Sequence, residues 1–146
     1  MKDIPISDKL PELDIAIKAA QEAGNAILEI YKGEFEEFTK KDDSPITEAD
    51  LKSNEIIKEI LSQTNHKILS EEDKDDQSRL SEEIIWIVDP LDGTSDFIDK
   101  TGEFTVMIAF VKNKKPIIGV IGWPTEKTLF VAPSLKFKYD DYIHDS

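Results

Sequence analysis

Cysteine is missing from all 146 residues, so disulfides and thiolate metal sites are excluded. No apolar run approaches the roughly 20 residues that a membrane-spanning helix needs. The opening residues, Met1 to Pro5, hold no apolar core of a signal peptide. Positive charge is scarce, with 18 Lys and Arg against 31 Asp and Glu and a formal net charge of −13. Binding to a nucleic-acid backbone rests on neutralising phosphates, so nucleic acid is not an expected partner. An anionic substrate would have to be met through cations. These absences point to a soluble protein of a reducing compartment, most simply the cytoplasm. What remains is ordinary. Hydrophobic residues make up 39% and charged residues 34%, the balance of a globular chain, and the length suits a single domain spanning residues 1–146. Acidic composition alone also describes a plain solvated surface. The placement of the carboxylates has to decide.

Leu10, Leu13, Ile17, Ala20, Ile27 and Tyr31 recur at spacings of three, four and seven. With Gly24 on the same face to permit close packing, they predict an amphipathic helix of about six turns ended by Gly33. A second helix is expected from Glu48 to Leu61, capped by Thr47, with Leu51, Ile56, Ile57, Ile60 and Leu61 turned inward. Phe35 to Phe38 reads as a short strand and Lys40 to Pro45 as a polar loop. Lys67 to Ser70 is a strand leading into Glu71, followed by a polar, mobile segment to Ser81. The continuous apolar run Ile84 to Val88 predicts a strand buried on both faces and ending at Asp89. Phe104–Val111, Pro116–Ile121 and Thr128–Val131 suggest an antiparallel meander. Helices followed mostly by strands give an α+β class, two N-terminal helices packed on a mostly antiparallel sheet. Trp86, Phe97, Phe104, Phe110 and Phe130 are expected in its core. His66 and His144 have no partner at ligand spacing and read as surface residues.

Val88-Asp89-Pro90-Leu91-Asp92-Gly93-Thr94 carries the most information. Proline cannot extend the ladder and Gly93 permits a sharp turn, so Asp89 and Asp92 can converge while Leu91 turns its carbonyl to the same point. Hard divalent cations take such all-oxygen sets, magnesium in particular. Asp-Pro-x-Asp-Gly alone also suits a surface turn, but the apolar strand before it anchors the turn to the core. Glu71 alone reads equally as a ligand or a solvated charge. If its strand neighbours the second, it completes a cluster of three carboxylates, which repel one another until a cation enters. After Asp92 a short helix is expected through Ile98, its N-terminal N–H groups available to a phosphate. The acidic run Glu71 to Asp76 lacks the glycine and terminal glutamate of a calcium loop.

At these residues the chain resembles the inositol monophosphatase superfamily of lithium-sensitive phosphatases. Trp86 to Thr94 is similar to its signature, and Ser70-Glu71-Glu72-Asp73 to its upstream glutamate motif. Lys40 to Asp50, Gly102 to Val106 and Lys115 to Val120 resemble the 3′(2′),5′-bisphosphate nucleotidase (CysQ-type) branch. The resemblance implies the first αβ half of a layered αβαβα fold. It implies Mg²⁺, two or three ions in a complete site. Glu71, Asp89 and the Leu91 carbonyl would hold the first ion; Asp89 and Asp92 would share the second. Thr94 and Glu71 would orient the attacking water, with Asp50 polarising Thr94. Gly93, Thr94 and Ser95 would meet the phosphate, with Lys40 adding positive charge. Family members are nearly twice this length, and their second half adds an aspartate to the second metal. Here Trp123 is followed by Pro124, and Asp140, Asp141 and Asp145 lie in an unrelated polar tail. The expectation is therefore an N-terminal half, with the C-terminal half absent. The implied reaction takes adenosine 3′,5′-bisphosphate to AMP and phosphate. Inositol monophosphate hydrolysis is the nearest alternative, and a non-catalytic metal-binding domain is an alternative of another class. Self-association through exposed apolar surface is a further expectation.

Overall fold

Apolar residues three and four apart form one stripe of the first helix, α1 (Pro11–Tyr31), where Leu13, Ile17, Ala20, Gly24 and Ile27 are all buried. The computed structural model describes residues 11–74, 77, 81–132 and 135–138. Leu10, most of the polar segment before Ser81, His144 and the carboxylates of the tail lie outside the described residues. After α1 comes an antiparallel pair, β1 (Glu37–Thr39) and β2 (Pro45–Thr47). The strand expected at Phe35 to Phe38 thus begins later. Phe35 instead sets its ring against Phe97, with centroids 4.8 Å apart.

Thr47 caps α2 (Glu48–Leu61) as expected. Its hydroxyl accepts from the Ala49 N–H at 3.1 Å, and the Asp50 carboxylate accepts from the Thr47 N–H at 2.8 Å. Such a reciprocal cap satisfies donors that a helix start otherwise leaves bare. The inward face is not the expected one throughout. Leu51 is 47% exposed, while Asp50, Ser53 and Asn54 are buried with Ala49, Ile57, Ile60 and Leu61. Leu51 sits about 100° round the helix from Asp50, and the inward stripe near the start of α2 is polar.

The main sheet has the order β3 (Lys67–Ser70), β4 (Ile84–Asp92), β5 (Thr105–Lys112), β6 (Lys115–Trp123), β7 (Thr128–Ala132) and β8 (Leu135–Lys138). β3 is parallel to β4, and every later pair is antiparallel. The turn between β5 and β6 places Asn113 and Lys114 at φ 52° and 66°, the paired left-handed conformation that suits a two-residue hairpin. β8 was not anticipated, although Leu135-Lys136-Phe137-Lys138 alternates with a period of two.

α2 packs on β4, and α1 on β5 and β6. Between them lie Trp86, Val88, Ile108, Phe110, Val120 and Leu129, together with Phe97 and Phe104. The opposite face of the sheet is open among the described residues. Ile87 there is 43% exposed and Phe130 37%, so β4 is not buried on both faces and Phe130 is not core. Strand periodicity explains both, because neighbours in sequence point to opposite faces. His66 also departs from a plain surface position. Its ring lies 5.4 Å from that of Phe110, and Nε2 is 3.5 Å from a Glu12 oxygen. The α+β class, with two N-terminal helices on a mostly antiparallel sheet, is as expected.

Candidate active site

Parallel pairing of β3 with β4 sets Ser70 opposite Val88. The next residue of each strand is an acid, so Glu71 and Asp89 emerge side by side. The Glu71 N–H donates to the Val88 carbonyl at 3.0 Å and fixes that register one step past the strand end. Burial pushes the Asp89 carboxyl up to about 8, and a hydrogen bond with Glu71, the Glu71 charge and the Asp92 charge push the same way. The Leu91 backbone N–H opposes them. Each of these causes disfavours a second negative charge at this spot, and a cation placed there would offset the same repulsion.

β4 does not stop at Asp89. It continues to Asp92, with an irregularity in pairing between the two acids before Asp92 meets Thr105. Pro90 lacks the N–H that a regular ladder would use, and its carbonyl instead accepts from Ser53 Oγ at 2.7 Å. The Leu91 side chain is buried in the core while Asp92 is exposed. Gly93 follows at φ 96°, and a Cβ there would come within 3.0 Å of the Glu103 carbonyl. The chain then enters α3 (Thr94–Ile98), closed by the Phe97 N–H on the Gly93 carbonyl at 2.9 Å.

Thr94 lies 44 positions from Asp50 in sequence, yet its hydroxyl donates to Asp50 Oδ1 at 2.8 Å. The other Asp50 oxygen accepts from both the N–H and the hydroxyl of Thr47, each at 2.8 Å. Asp50 is 0% exposed, and these donors stand in for water around its charge. Lys40 pairs with Glu72 at 3.0 Å. Burial alone would lower its pKa, but the hydrogen bond and charge of Glu72, with the charges of Glu71 and Asp50, raise it on balance. Lys40 therefore does bring positive charge beside the acids, while its contact is to Glu72.

The structure thus gathers Glu71, Asp89, Asp92, Thr94, Asp50, Gly93 and Lys40 around the ends of β3 and β4, and Ser95 follows in α3. Carboxylate and carbonyl oxygens are the donor type that magnesium takes, and Glu71, Asp89, Leu91 and Asp92 supply that type at the ends of β3 and β4. Among the described residues no three His, Cys, Asp or Glu side chains are drawn together as a ready-made cage. A hollow of about 590 Å³ joins Glu71, Asp73 and Asp89 to Ile87, Met107 and Ile121 on the open sheet face. Sequence reasoning passed over Ser53 and Asn54, which hold the loops behind the acids. Their only sequence signal is a spacing of three and four from Asp50.

The profile of the inositol monophosphatase family matches residues 8–138. The 3′(2′),5′-bisphosphate nucleotidase CysQ of Salmonella typhimurium is 41% identical over 125 residues, which cover 82% of this chain and 51% of that protein. The corresponding protein of Escherichia coli K12 is 38% identical over the same shares. Among solved structures, CysQ from Bacteroides thetaiotaomicron superposes with a TM-score of 0.75 at 45% identity, covering 88% of this chain and 48% of that one. The extragenic suppressor protein suhB of Bartonella henselae gives 0.77 at 29% identity, covering 90% and 53%. The chain spans about half the length of the relatives it matches.

Proposed function

This chain belongs to the inositol monophosphatase family, and we propose that it carries the magnesium-binding half of a phosphomonoesterase site of the 3′(2′),5′-bisphosphate nucleotidase type. The observation that carries this reading is the contact of Glu71 with Asp89 at the ends of two parallel strands. Two carboxyl groups are held against each other where each could otherwise reach solvent, beside the charge of Asp92. Glu71, Asp89 and the Leu91 carbonyl would hold one ion; Asp89 and Asp92 would share another. Magnesium bound there would supply Lewis-acid polarisation and offset the charge of a phosphoryl group.

The chain's own residues prepare the rest. Thr94 donates its hydroxyl hydrogen bond to Asp50, so its oxygen lone pairs are left to accept a hydrogen bond from a water molecule. Asp50 is held in turn by the Thr47 cap and cannot swing away. Glu71 is the second acceptor for that water and its general base. Gly93, Thr94 and Ser95 would present N–H groups to the phosphate, and Lys40 adds charge beside Glu71. The proposed substrate is adenosine 3′,5′-bisphosphate, a small phosphorylated molecule like those named for the CysQ relatives. Lithium sensitivity, a cytoplasmic setting and self-association belong to the same proposal. No helix among the described residues is long and apolar enough to cross a membrane.

The test is phosphate release from adenosine 3′,5′-bisphosphate by this chain and its Asp89→Asn variant, with and without Mg²⁺, and with inositol 1-phosphate alongside. Magnesium-dependent release that disappears in the variant supports the reading. Full release by Asp89→Asn overturns it. Faster release from inositol 1-phosphate moves the substrate to the alternative that the family's description suggests. Magnesium binding without release from either compound makes these residues a non-catalytic metal-binding domain.

A further inference from the structure

Four side chains along one stripe of α2 reach the segments that carry the acids. Asp50 binds Thr94, Ser53 binds the Pro90 carbonyl, Asn54 binds Ser70 and Asp73, and Lys58 binds Asp73. Their spacing of three and four is what brings them to one side of a helix. Asn54 stands out among them because its two partners flank Glu71. Ser70 Oγ donates to Asn54 Oδ1 at 2.5 Å, and Asn54 Nδ2 donates to Asp73 Oδ1 at 3.0 Å. The other Asp73 oxygen meets Lys58 Nζ at 2.8 Å. The backbone closes the same turn, since the Asp73 N–H donates to the Ser70 carbonyl at 3.1 Å.

We propose that Asn54 is a positioning residue for Glu71, clamping the turn on both sides of it so that its carboxylate stays beside Asp89. This rests on the reading of Glu71 and Asp89 as metal ligands. The physical need is plain. Neighbouring carboxyl groups disfavour each other's charge, and Glu71 sits in an exposed turn that could yield. A clamp across Ser70 and Asp73 resists that movement. Asparagine suits the task because it must accept from a hydroxyl and donate to a carboxylate at once. Aspartate lacks the donor, and an aliphatic side chain lacks both. Asn54 and Ser70 are buried, so water does not readily replace the bond between them; the bond to Asp73 is part-buried.

A buried amide also stabilises a turn without serving any ligand, and the experiment must separate the two. Magnesium affinity is measured by titration calorimetry for the wild type, Asn54→Ala, Ser70→Ala and the core control Ile17→Val. Amide hydrogen exchange is followed on the same metal-free chains. Asn54→Ala is expected to weaken magnesium binding about tenfold or more, the usual loss when a group that orients a metal ligand is removed. Ser70→Ala, a smaller change that keeps the fold, follows in the same direction. Exchange at the Glu71 amide accelerates in both, while the Phe97 amide in α3 is unchanged. Ile17→Val loosens the core without touching the turn and leaves affinity at the wild-type value. Wild-type affinity with unchanged Glu71 exchange in Asn54→Ala overturns the proposal. So does an equal loss of affinity in Ile17→Val, which would reduce Asn54 to a general stabiliser. A wild-type chain that takes up no magnesium defeats the underlying metal reading instead, and the exchange rates still report whether Asn54 holds Glu71 in place.

Discussion

Asp50 is a fully buried carboxylate whose recorded partners are Thr47, through N–H and hydroxyl, and Thr94. A buried carboxylate is costly unless donors reach its oxygens, and meeting that need fixes the Thr94 hydroxyl on Asp50. Thr94→Val keeps the shape and removes the hydroxyl. If the chain turns substrate over, the rate is expected to fall about tenfold to a hundredfold, as when the attacking water loses a group that orients it. Magnesium affinity should hold, and steady-state kinetics beside a metal titration check both. Loss of metal binding in that variant would put Thr94 in the wrong role. Gly93 offers a stability test at the same scale. Its φ of 96° strains any residue with a Cβ, and the 3.0 Å approach to the Glu103 carbonyl would make that Cβ tightly placed. Gly93→Ala should cost about 1–3 kcal/mol in urea unfolding, and a neutral result would mean the turn relaxes freely.

At the scale of elements, α2 both builds the core and sets the site, and its cap links the two tasks. Thr47→Ala removes a hydroxyl that caps the helix and also binds Asp50. About 1–2 kcal/mol of stability should be lost, measured by thermal or urea unfolding. A change within experimental error would show that the cap is not what holds α2. The bounds of α2 were legible because Thr47 and the apolar spacing to Leu61 agree. Its inward face was not fully legible, because hydrophobicity assigns Leu51 inward where the structure buries Asp50, Ser53 and Asn54. Those polar groups are inside because their partners are residues 70, 73, 90 and 94, and no local pattern announces such partners. The acids themselves were legible, since an apolar strand leading to Asp89-Pro90-Leu91-Asp92-Gly93 is anchored to the core. The irregular pairing that carries β4 on to Asp92 was not, because it depends on how β5 runs beside it.

At the scale of the whole molecule, helices cover one face of the sheet and leave the other apolar and open among the described residues. Ile121 and Phe130 are cross-strand neighbours on that face, and Ile87 and Met107 lie on it too. Exposed apolar area of this kind invites binding of a hydrophobic dye. An increase in anilinonaphthalene sulfonate fluorescence is expected for the native chain, and most of it should vanish in Ile121→Lys with Phe130→Glu. Unchanged fluorescence in that pair would place the dye elsewhere. The same face borders Glu71 and Asp89, and the chain spans about half the length of its relatives. Turnover therefore asks more of this chain than metal binding does, and metal binding is the more direct question. Magnesium should be titrated calorimetrically into the wild type and into Asp89→Asn. Saturable binding by the wild type, lost in the variant, is the predicted result; equal binding by both, or binding by neither, would contradict the assignment of Glu71, Asp89 and Asp92 as a magnesium site.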